Sequence, residues 1–255
     1  MFFRRIYQFL IVYTAGLAGL WLIKMSLNLS DYVIPGIMLM KETAAEFGMI
    51  YFIDVIDTLS VTILGQMLSI IMAFTVGIVG RKSSWIGSFI KVAAYNIQAY
   101  PIVALAPIIF ILLGDGFISR LLIASMICYF PLLLSVLGIM ATPVNDIEHF
   151  YVVTGRMRWQ LEVKIRAFEN LSKLITVISG SATLAMAGTI VAEFISANAG
   201  IGYSIRVALY QSDMAKILIA LFMIGIIISV YQGCLESFGE SIKQSWSVTD
   251  KGETL

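Results

Sequence analysis

Residues 121–145, LLIASMICYFPLLLSVLGIMATPVN, form the longest stretch of the chain without a charged side chain. A charge at the centre of a bilayer costs at least about 2.5–3.5 kcal/mol, and roughly 18–20 helical residues cross the hydrocarbon. Further charge-free stretches of comparable length are residues 6–23, 58–80, 92–114, 174–192 and 217–235. We therefore predict an all-α, polytopic membrane protein with six transmembrane helices, in a single domain that covers residues 1–255.

Composition supports this class and excludes others. Apolar residues make up 59% of the chain, charged residues make up 13%, and the mean hydropathy is +0.91, values that do not describe a water-soluble surface. The net charge of +1 gives no field that would attract nucleic acid. His149, Cys128 and Cys234 are too few and too scattered for a zinc or iron–sulfur site. We predict no metal, no cofactor and no catalytic residue.

The distribution of lysine and arginine predicts the orientation. If the amino terminus is cytoplasmic, twelve of the 17 Lys and Arg residues fall on the cytoplasmic side and five on the other side. Because positively charged loops resist translocation, we predict that both termini and residues 81–91 are cytoplasmic. The expected location is the bacterial inner membrane. On the other side, residues 42–53 are predicted to form a short helix along the membrane surface.

Polar residues and prolines distinguish the third predicted span. Asn96 and Gln98 precede Pro101 and Pro107 within residues 92–114. Prolines inside an apolar run predict a bent helix whose freed carbonyl groups need neighbouring donors. Two interpretations are open: a kinked helix buried in protein, or a wall of a translocation path that presents Asn96 and Gln98.

Small residues distinguish the fifth predicted span, which contains SGSATLAMAG at residues 179–188. Ser181 and Ala185 have the small-xxx-small spacing that lets two helices approach closely, and Gly188 extends the same low-bulk surface. We predict that Ser181, Ala185 and Gly188 face the translocation path or a partner permease. Ordinary helix packing is the alternative.

The outer end of this span carries an ionisable residue. Glu193 is followed by two glycines, Gly200 and Gly202, which are predicted to break the helix before it restarts at residues 203–210. A carboxyl group at this depth is a candidate for function, and we assign Glu193, Gly200 and Gly202 to the external mouth of the path. The alternative is a carboxylate that reaches water or pairs with Arg206.

Residues 142–173 form the one long cytoplasmic segment, and their composition predicts helices rather than a plain connector. Gly155 has the character of a residue that ends a first helix, and a second helix is expected to start near Arg158. Trp159 lies in the turn, directly after Arg156 and Arg158, and both residue types are enriched in protein contact surfaces. An amphipathic hairpin on anionic lipid is the alternative.

Several of these motifs together resemble a known family. The stretches PIVALAPIIFILLG (101–114), AEFI (192–195) and AGIGYSI (199–205), with Gly155 and the Arg158–Leu161 sequence RWQL, resemble the membrane permeases of binding-protein-dependent ABC importers. The resemblance is to the nitrate, sulfonate, taurine and bicarbonate branch. It implies a type I ABC importer permease fold and a small organic or inorganic anion as solute.

The resemblance also implies partners. It implies a cytosolic ATPase, a periplasmic or lipid-anchored solute-binding protein and a second permease copy, with membrane lipid around the pair. In the family, the cytoplasmic E-A-A-x-x-x-G pattern and the residues after it contact the ATPase. The residues that match in this chain are Gly155, Arg158, Trp159, Gln160 and Leu161, and we assign Arg156 to the same ATPase contact. His149-Phe150-Tyr151 replaces E-A-A, which leaves open a divergent ATPase or weakened coupling.

Other classes of protein explain the sequence less well. The chain contains no G-x-x-x-x-G-K-[ST] sequence, so ATP hydrolysis is expected in a separate subunit. An ion-driven secondary transporter usually carries charges at the bilayer midplane, and the predicted spans lack them there. No span contains the residues of an intramembrane enzyme. A non-transporting scaffold of an ABC-type assembly remains an alternative because the E-A-A pattern is degenerate.

Overall fold

The computed structural model describes residues 2–141, 153 and 159–252, with side chains described for 4–141, 153 and 162–243. In these ranges the chain forms helices and no strand. The helices are α1 (Phe2–Leu27), α2 (Ile37–Gly80), α3 (Ser84–Gln98), α4 (Ile102–Leu113), α5 (Phe117–Ala141), α6 (Trp159–Glu169), α7 (Leu171–Ile195), α8 (Ile201–Tyr210) and α9 (Met214–Gly252).

Five of these helices, α1, α2, α5, α7 and α9, are long and apolar enough to cross a membrane. The pair α3 and α4, which are bent by 83° relative to one another, is the candidate for a sixth crossing. At 1.5 Å per residue, α3 is about 22 Å long and α4 about 18 Å, so neither alone crosses about 30 Å of hydrocarbon. The prediction of an all-α polytopic protein is confirmed, with the third span divided into two helices.

The bend in the third span lies at residues 99–101, as the first of its two prolines predicts. Pro101 precedes α4 with an extended ψ of 98° and lacks the N–H that a continuing helix would need. Pro107 lies inside α4 and does not end it. Asn96 and Gln98 therefore lie in the last turn before the bend, with exposed side chains.

The structure corrects the prediction of a separate surface helix over residues 42–53. These residues belong to α2, a continuous helix of 44 residues. At 1.5 Å per residue it is about 66 Å long, more than twice the hydrocarbon thickness. Residues 42–53 precede the charge-free stretch 58–80 within this one helix.

The two ends of the helix bundle are defined by the contacts of the described residues. At one end, which we call the α6 end, α2 and α5 finish and α7 begins, and Arg5 near the start of α1 pairs with Glu236 of α9. At the other end, the α8 end, α7 finishes and α5 begins. The first residues of α1 therefore lie at the same end as α6.

The core is built around α5, which packs between α2 and α7. Glycines bring these helices together. A Cβ added at Gly77 of α2 would lie 2.7 Å from a methyl of Val136, and one added at Gly188 of α7 would lie 3.0 Å from the Cα of Ala124. Helix association in membranes depends on such close packing, since lipid tails are as apolar as leucine.

We expect Gly77→Leu to destabilise the folded protein and Gly48→Leu to leave it as stable or slightly more stable. A leucine side chain at Gly77 would overpack the contact with Val136, which typically costs about 1–3 kcal/mol of folding free energy. Both variants gain up to about 1 kcal/mol because leucine has a higher helix propensity than glycine, and only at Gly77 does the cost exceed this gain. At Gly48, on the same helix, no neighbouring atom lies within 4 Å of an added Cβ. Thermal unfolding in detergent measures the difference. Equal unfolding temperatures would contradict the packing.

Candidate functional site

The carboxylate of Glu193 is fully buried near the end of α7 and receives hydrogen bonds from several elements. The hydroxyl of Thr58, on α2, lies 3.0 Å and 2.8 Å from its two oxygens. The backbone N–H of Gly202 donates to Oε2 at 3.0 Å, and that of Ile201 donates to the Thr58 hydroxyl at 2.9 Å. Thr58 and Glu193 together therefore satisfy the first N–H groups of α8.

Arg120 completes this group, which we call the Glu193 cluster (Asp57, Thr58, Arg120, Glu193 and the N–H groups of 201 and 202). Its Nη1 lies 3.2 Å from Oε1 of Glu193 and 2.6 Å from Oδ2 of Asp57. The Arg120 side chain is only 8% exposed, whereas Asp57 is 39% exposed. The cluster thus connects α2, α5, α7 and α8. It extends from the buried carboxylate of Glu193 to the partly exposed carboxylate of Asp57.

Two glycines make room for the cluster, but in different ways. Gly200 has φ +89°, and an added Cβ would lie 2.2 Å from the Glu193 carboxyl group, so both conformation and space require glycine. Gly202 lies inside α8, where an added Cβ would lie 2.4 Å from the carbonyl oxygen of Ile190. The prediction that Gly202 breaks the helix is therefore wrong. The non-helical residues are 196–200, and α8 restarts at Ile201.

Arg206 does not pair with Glu193, contrary to the alternative considered from the sequence. Its guanidinium donates to the carbonyl oxygens of Phe194 at 3.2 Å and Ala197 at 2.7 Å, and it lies over the ring of Tyr203. Arg206 thereby caps the exposed side of the 196–200 break. Arg120 and Thr58 were not among the site residues predicted from the sequence, although Arg120 directly precedes the longest charge-free stretch.

A second buried ionic group, which we call the Glu162 triad, lies at the α6 end. Arg81, directly after α2, pairs with Glu162 of α6, and Arg166 one turn later donates from Nε to the same oxygen at 3.0 Å. The side chains of Glu162 and Arg166 are 7% and 9% exposed. The triad fixes the end of α2 to α6, the helix whose first turn contains Trp159, Gln160 and Leu161.

The predicted ATPase contact residues fall largely outside the described structure. Gly155, Arg156 and Arg158 lie outside the described residues. Trp159, Gln160 and Leu161 form the first turn of α6, and their side chains are not described. The helix predicted to begin near Arg158 is confirmed, since α6 starts at Trp159.

The predicted path residues of α7 lie inside the bundle. Ser181 and Ala185 are buried, and Gly188 packs against α5. Ser181 accepts a hydrogen bond from Gln66 of α2 at 2.9 Å. Their small size serves contacts within the chain, so their placement on a path or at a partner permease stays a prediction. The opposite side of α7 is exposed and carries Thr176, Gly180, Thr183, Leu184 and Ala187, with Lys173 one turn before Thr176.

The exposed polar groups at the α3–α4 bend form a second uncharged surface. Tyr95 is 55% exposed and Tyr100 is 66% exposed, and Asn96 and Gln98 are exposed beside them. Both surfaces supply hydroxyl and amide groups without a formal charge. Among the described residues, no group of three or more His, Cys, Asp and Glu could hold a metal ion.

These features define a polytopic membrane protein with buried ionic clusters at both ends and uncharged polar surfaces in its crossings. The chain belongs to the family of binding-protein-dependent transport system inner membrane components, whose model matches residues 65–238. It is therefore a permease-type membrane component of the ABC transporter class.

Two relatives carry more specific names. The chain is 34% identical over 143 residues to the riboflavin transport system permease protein of Chloroflexus aurantiacus, an alignment that covers 54% of this chain and 53% of that protein. It is 22% identical over 209 residues to the formylaminopyrimidine transport permease protein of Halalkalibacterium halodurans, covering 82% and 84% of the two chains. The chain thus spans about half the length of the first relative. The family is confirmed, and the nitrate, sulfonate and taurine branch stays a prediction.

We expect Glu193→Ala to destabilise the protein by about 3–5 kcal/mol, because it leaves the Arg120 guanidinium buried and the Gly202 N–H without an acceptor. The double variant Glu193→Ala/Arg120→Ala should be less destabilised than the sum of the single variants, since their energies are coupled. Glu46→Ala, at an exposed position of α2, is the control. Denaturation in detergent gives all four values, and additive effects would argue against the buried pair.

Proposed function

We propose that this permease forms one half of a solute path whose wall is the exposed, uncharged polar side of α7 and the α3–α4 bend. The exposed polar face of α7 carries the proposal. Thr176, Gly180, Thr183 and Ala187 are spaced four, three and four residues apart, which places them on one helix face. Hydroxyl groups avoid lipid where they can, so this face is better suited to a path shared with a second copy than to hydrocarbon.

The proposed assembly contains two permease copies, an ATPase on each and a solute-binding protein on the opposite side. A ring closed by two-fold symmetry is the simplest way to enclose a path with so few helices. Both chain ends and the α6 end are placed in the cytoplasm of a bacterial cell, because the positively charged loops favour that side.

The Glu162 triad gives this assembly a route for coupling. Residues 155–161 are the proposed ATPase contact, and Glu162 follows them directly. Its ion pair with Arg81 joins the start of α6 to the end of α2, and α2 reaches the Glu193 cluster through Thr58. A displacement at the ATPase would thus reach the opposite end along one continuous helix.

For the solute, we propose a small heterocyclic compound. The relatives named for riboflavin and formylaminopyrimidine transport support this class. Amide side chains such as Asn96 and Gln98 offer both donors and acceptors to ring nitrogens and carbonyls, and Tyr95 and Tyr100 offer ring faces for stacking. A small anion of the nitrate or taurine type is the competing solute. It would favour arginine or lysine, and residues 92–119 contain neither.

We expect Gly180→Trp to reduce solute uptake at least tenfold and Gly16→Trp to leave it unchanged. No neighbouring atom lies within 4 Å of an added Cβ at either glycine, so both variants should fold. Only Gly180 lies on the proposed path, whereas Gly16 lies on the exposed side of α1. Proteoliposomes that contain the permease, its ATPase and its binding protein provide the assay. Normal uptake by Gly180→Trp would exclude this face, and failure of any ATPase to co-purify would favour a non-transporting scaffold.

We expect the same proteoliposomes to accumulate riboflavin or a formylated aminopyrimidine and not taurine or nitrate. Gln98→Leu should lower uptake of the heterocycle by about tenfold, since a lost hydrogen bond to a bound solute typically costs about 1–1.5 kcal/mol. Met72→Leu, at an exposed apolar position of α2, is the control. Uptake of taurine or nitrate alone would contradict the heterocycle proposal and support the anion.

A further inference from the structure

A cavity of about 490 Å³ lies at the α6 end, between the end of α2, the start of α3, the end of α5 and α6. We call it the Lys91 cavity. Its lining includes the basic and hydroxyl side chains of Arg81, Lys82, Ser84, Ser88 and Lys91, together with Glu162. It is separate from the proposed path face of α7.

The helix face that borders the cavity is unusually polar for a crossing. Ser84, Gly87, Ser88 and Lys91 are spaced at i, i+3, i+4 and i+7 in α3, so they share one side of that helix. The adjoining side carries Trp85 and Phe89, which are 74% and 62% exposed and stack with their ring centroids 5.7 Å apart. The start of α3 therefore presents cations and hydroxyls on one side and aromatic rings on the other.

The charge in the cavity is not balanced by the described residues. The single carboxylate in its lining, Glu162, is shared between Arg81 and Arg166. Lys82 and Lys91 are exposed and form no ion pair with any described residue. In addition, the Nε–H of Arg81 is buried without a hydrogen-bond partner in the described part of the chain.

We propose that the Lys91 cavity binds the headgroup of an anionic phospholipid. The phosphodiester would be held by Lys82 and Lys91 with the serine hydroxyls, and the acyl chains would lie along Trp85 and Phe89. Aromatic residues are enriched at the membrane interface, and basic pockets between transmembrane helices bind anionic headgroups. The alternative is that Lys82 and Lys91 only keep their loop on the cytoplasmic side. That role requires neither a cavity beside the lysines nor a polar helix face.

The location gives this lipid a structural consequence. The cavity includes Arg81 and Glu162, the ion pair that fixes α2 to α6. A bound phosphate would add an acceptor beside Arg81 and hold the start of α3 against the end of α5. The bound lipid thus stabilises the α6 end of the bundle against separation of these helices.

The test is retention of lipid by the full-length permease in detergent, measured by native mass spectrometry after addition of phosphatidylglycerol or phosphatidylcholine. We expect the wild-type protein to retain phosphatidylglycerol preferentially, and Lys82→Gln/Lys91→Gln to bind it roughly 25-fold more weakly, about fivefold for each charge. The variant Lys82→Arg/Lys91→Arg should retain it. Lys164→Gln, which removes an exposed lysine of α6 outside this cavity, should behave as wild type.

Several outcomes would overturn the proposal. Equal retention of phosphatidylglycerol and phosphatidylcholine by the wild-type protein would exclude headgroup recognition. An equal loss of binding in Lys164→Gln would show a diffuse effect of charge rather than a site. Complete displacement of the lipid by inorganic phosphate at about tenfold excess would identify a site for free phosphate instead. Both double variants keep exposed polar side chains at 82 and 91, so folding is not at risk, and matching unfolding temperatures check this.

Discussion

The helix break at residues 196–200 imposes the constraint on which the α8 end depends. Backbone groups that leave a helix near hydrocarbon need partners inside the protein, because unsatisfied groups there cost several kcal/mol each. Glu193 and Thr58 supply acceptors for the N–H groups of residues 201 and 202, and Arg206 supplies donors for two carbonyl groups. A carboxylate buried for this purpose then requires its own counter-charge, which Arg120 provides. The irregular backbone and the ion pair therefore depend on one another.

The two ionic groups give α2 a special position. One end of this helix is held to α6 by Arg81 and Glu162, and its other half is held to α7 and α5 by Thr58 and Asp57. Between them, Gln66 hydrogen bonds to Ser181 and to the carbonyl of Ile178. Hydrogen bonds between membrane helices are individually modest, about 0.6 kcal/mol on average. Distributed along one long helix, they make it a rigid connection between the two ends.

The two sides of α7 have different surroundings, although both are rich in small residues. The buried side, with Ser181, Ala185 and Gly188, allows close contact with α2 and α5. The exposed side also has small and hydroxyl-bearing residues, of which Thr183 accepts a hydrogen bond from Gln232 of α9. This exposed side is the surface that we propose as the wall of the solute path. The same residue types therefore do not reveal by themselves which side of a helix is inside.

The sequence by itself determined the class of this protein, because the cost of placing a charge in hydrocarbon is large and local. The charge-free stretches located every crossing, the prolines located the bend at Pro101, and Gly200 was correctly associated with the end of α7. Only the tertiary structure decided which groups meet. Arg120 lies 73 residues before Glu193 and Arg81 lies 81 residues before Glu162, and a sequence pattern carries no information on such pairs. The sequence also did not show which side of each helix is buried. When nearly all side chains of a helix are apolar, the hydrophobic pattern favours neither side, and the packing against neighbouring helices determines which side is buried.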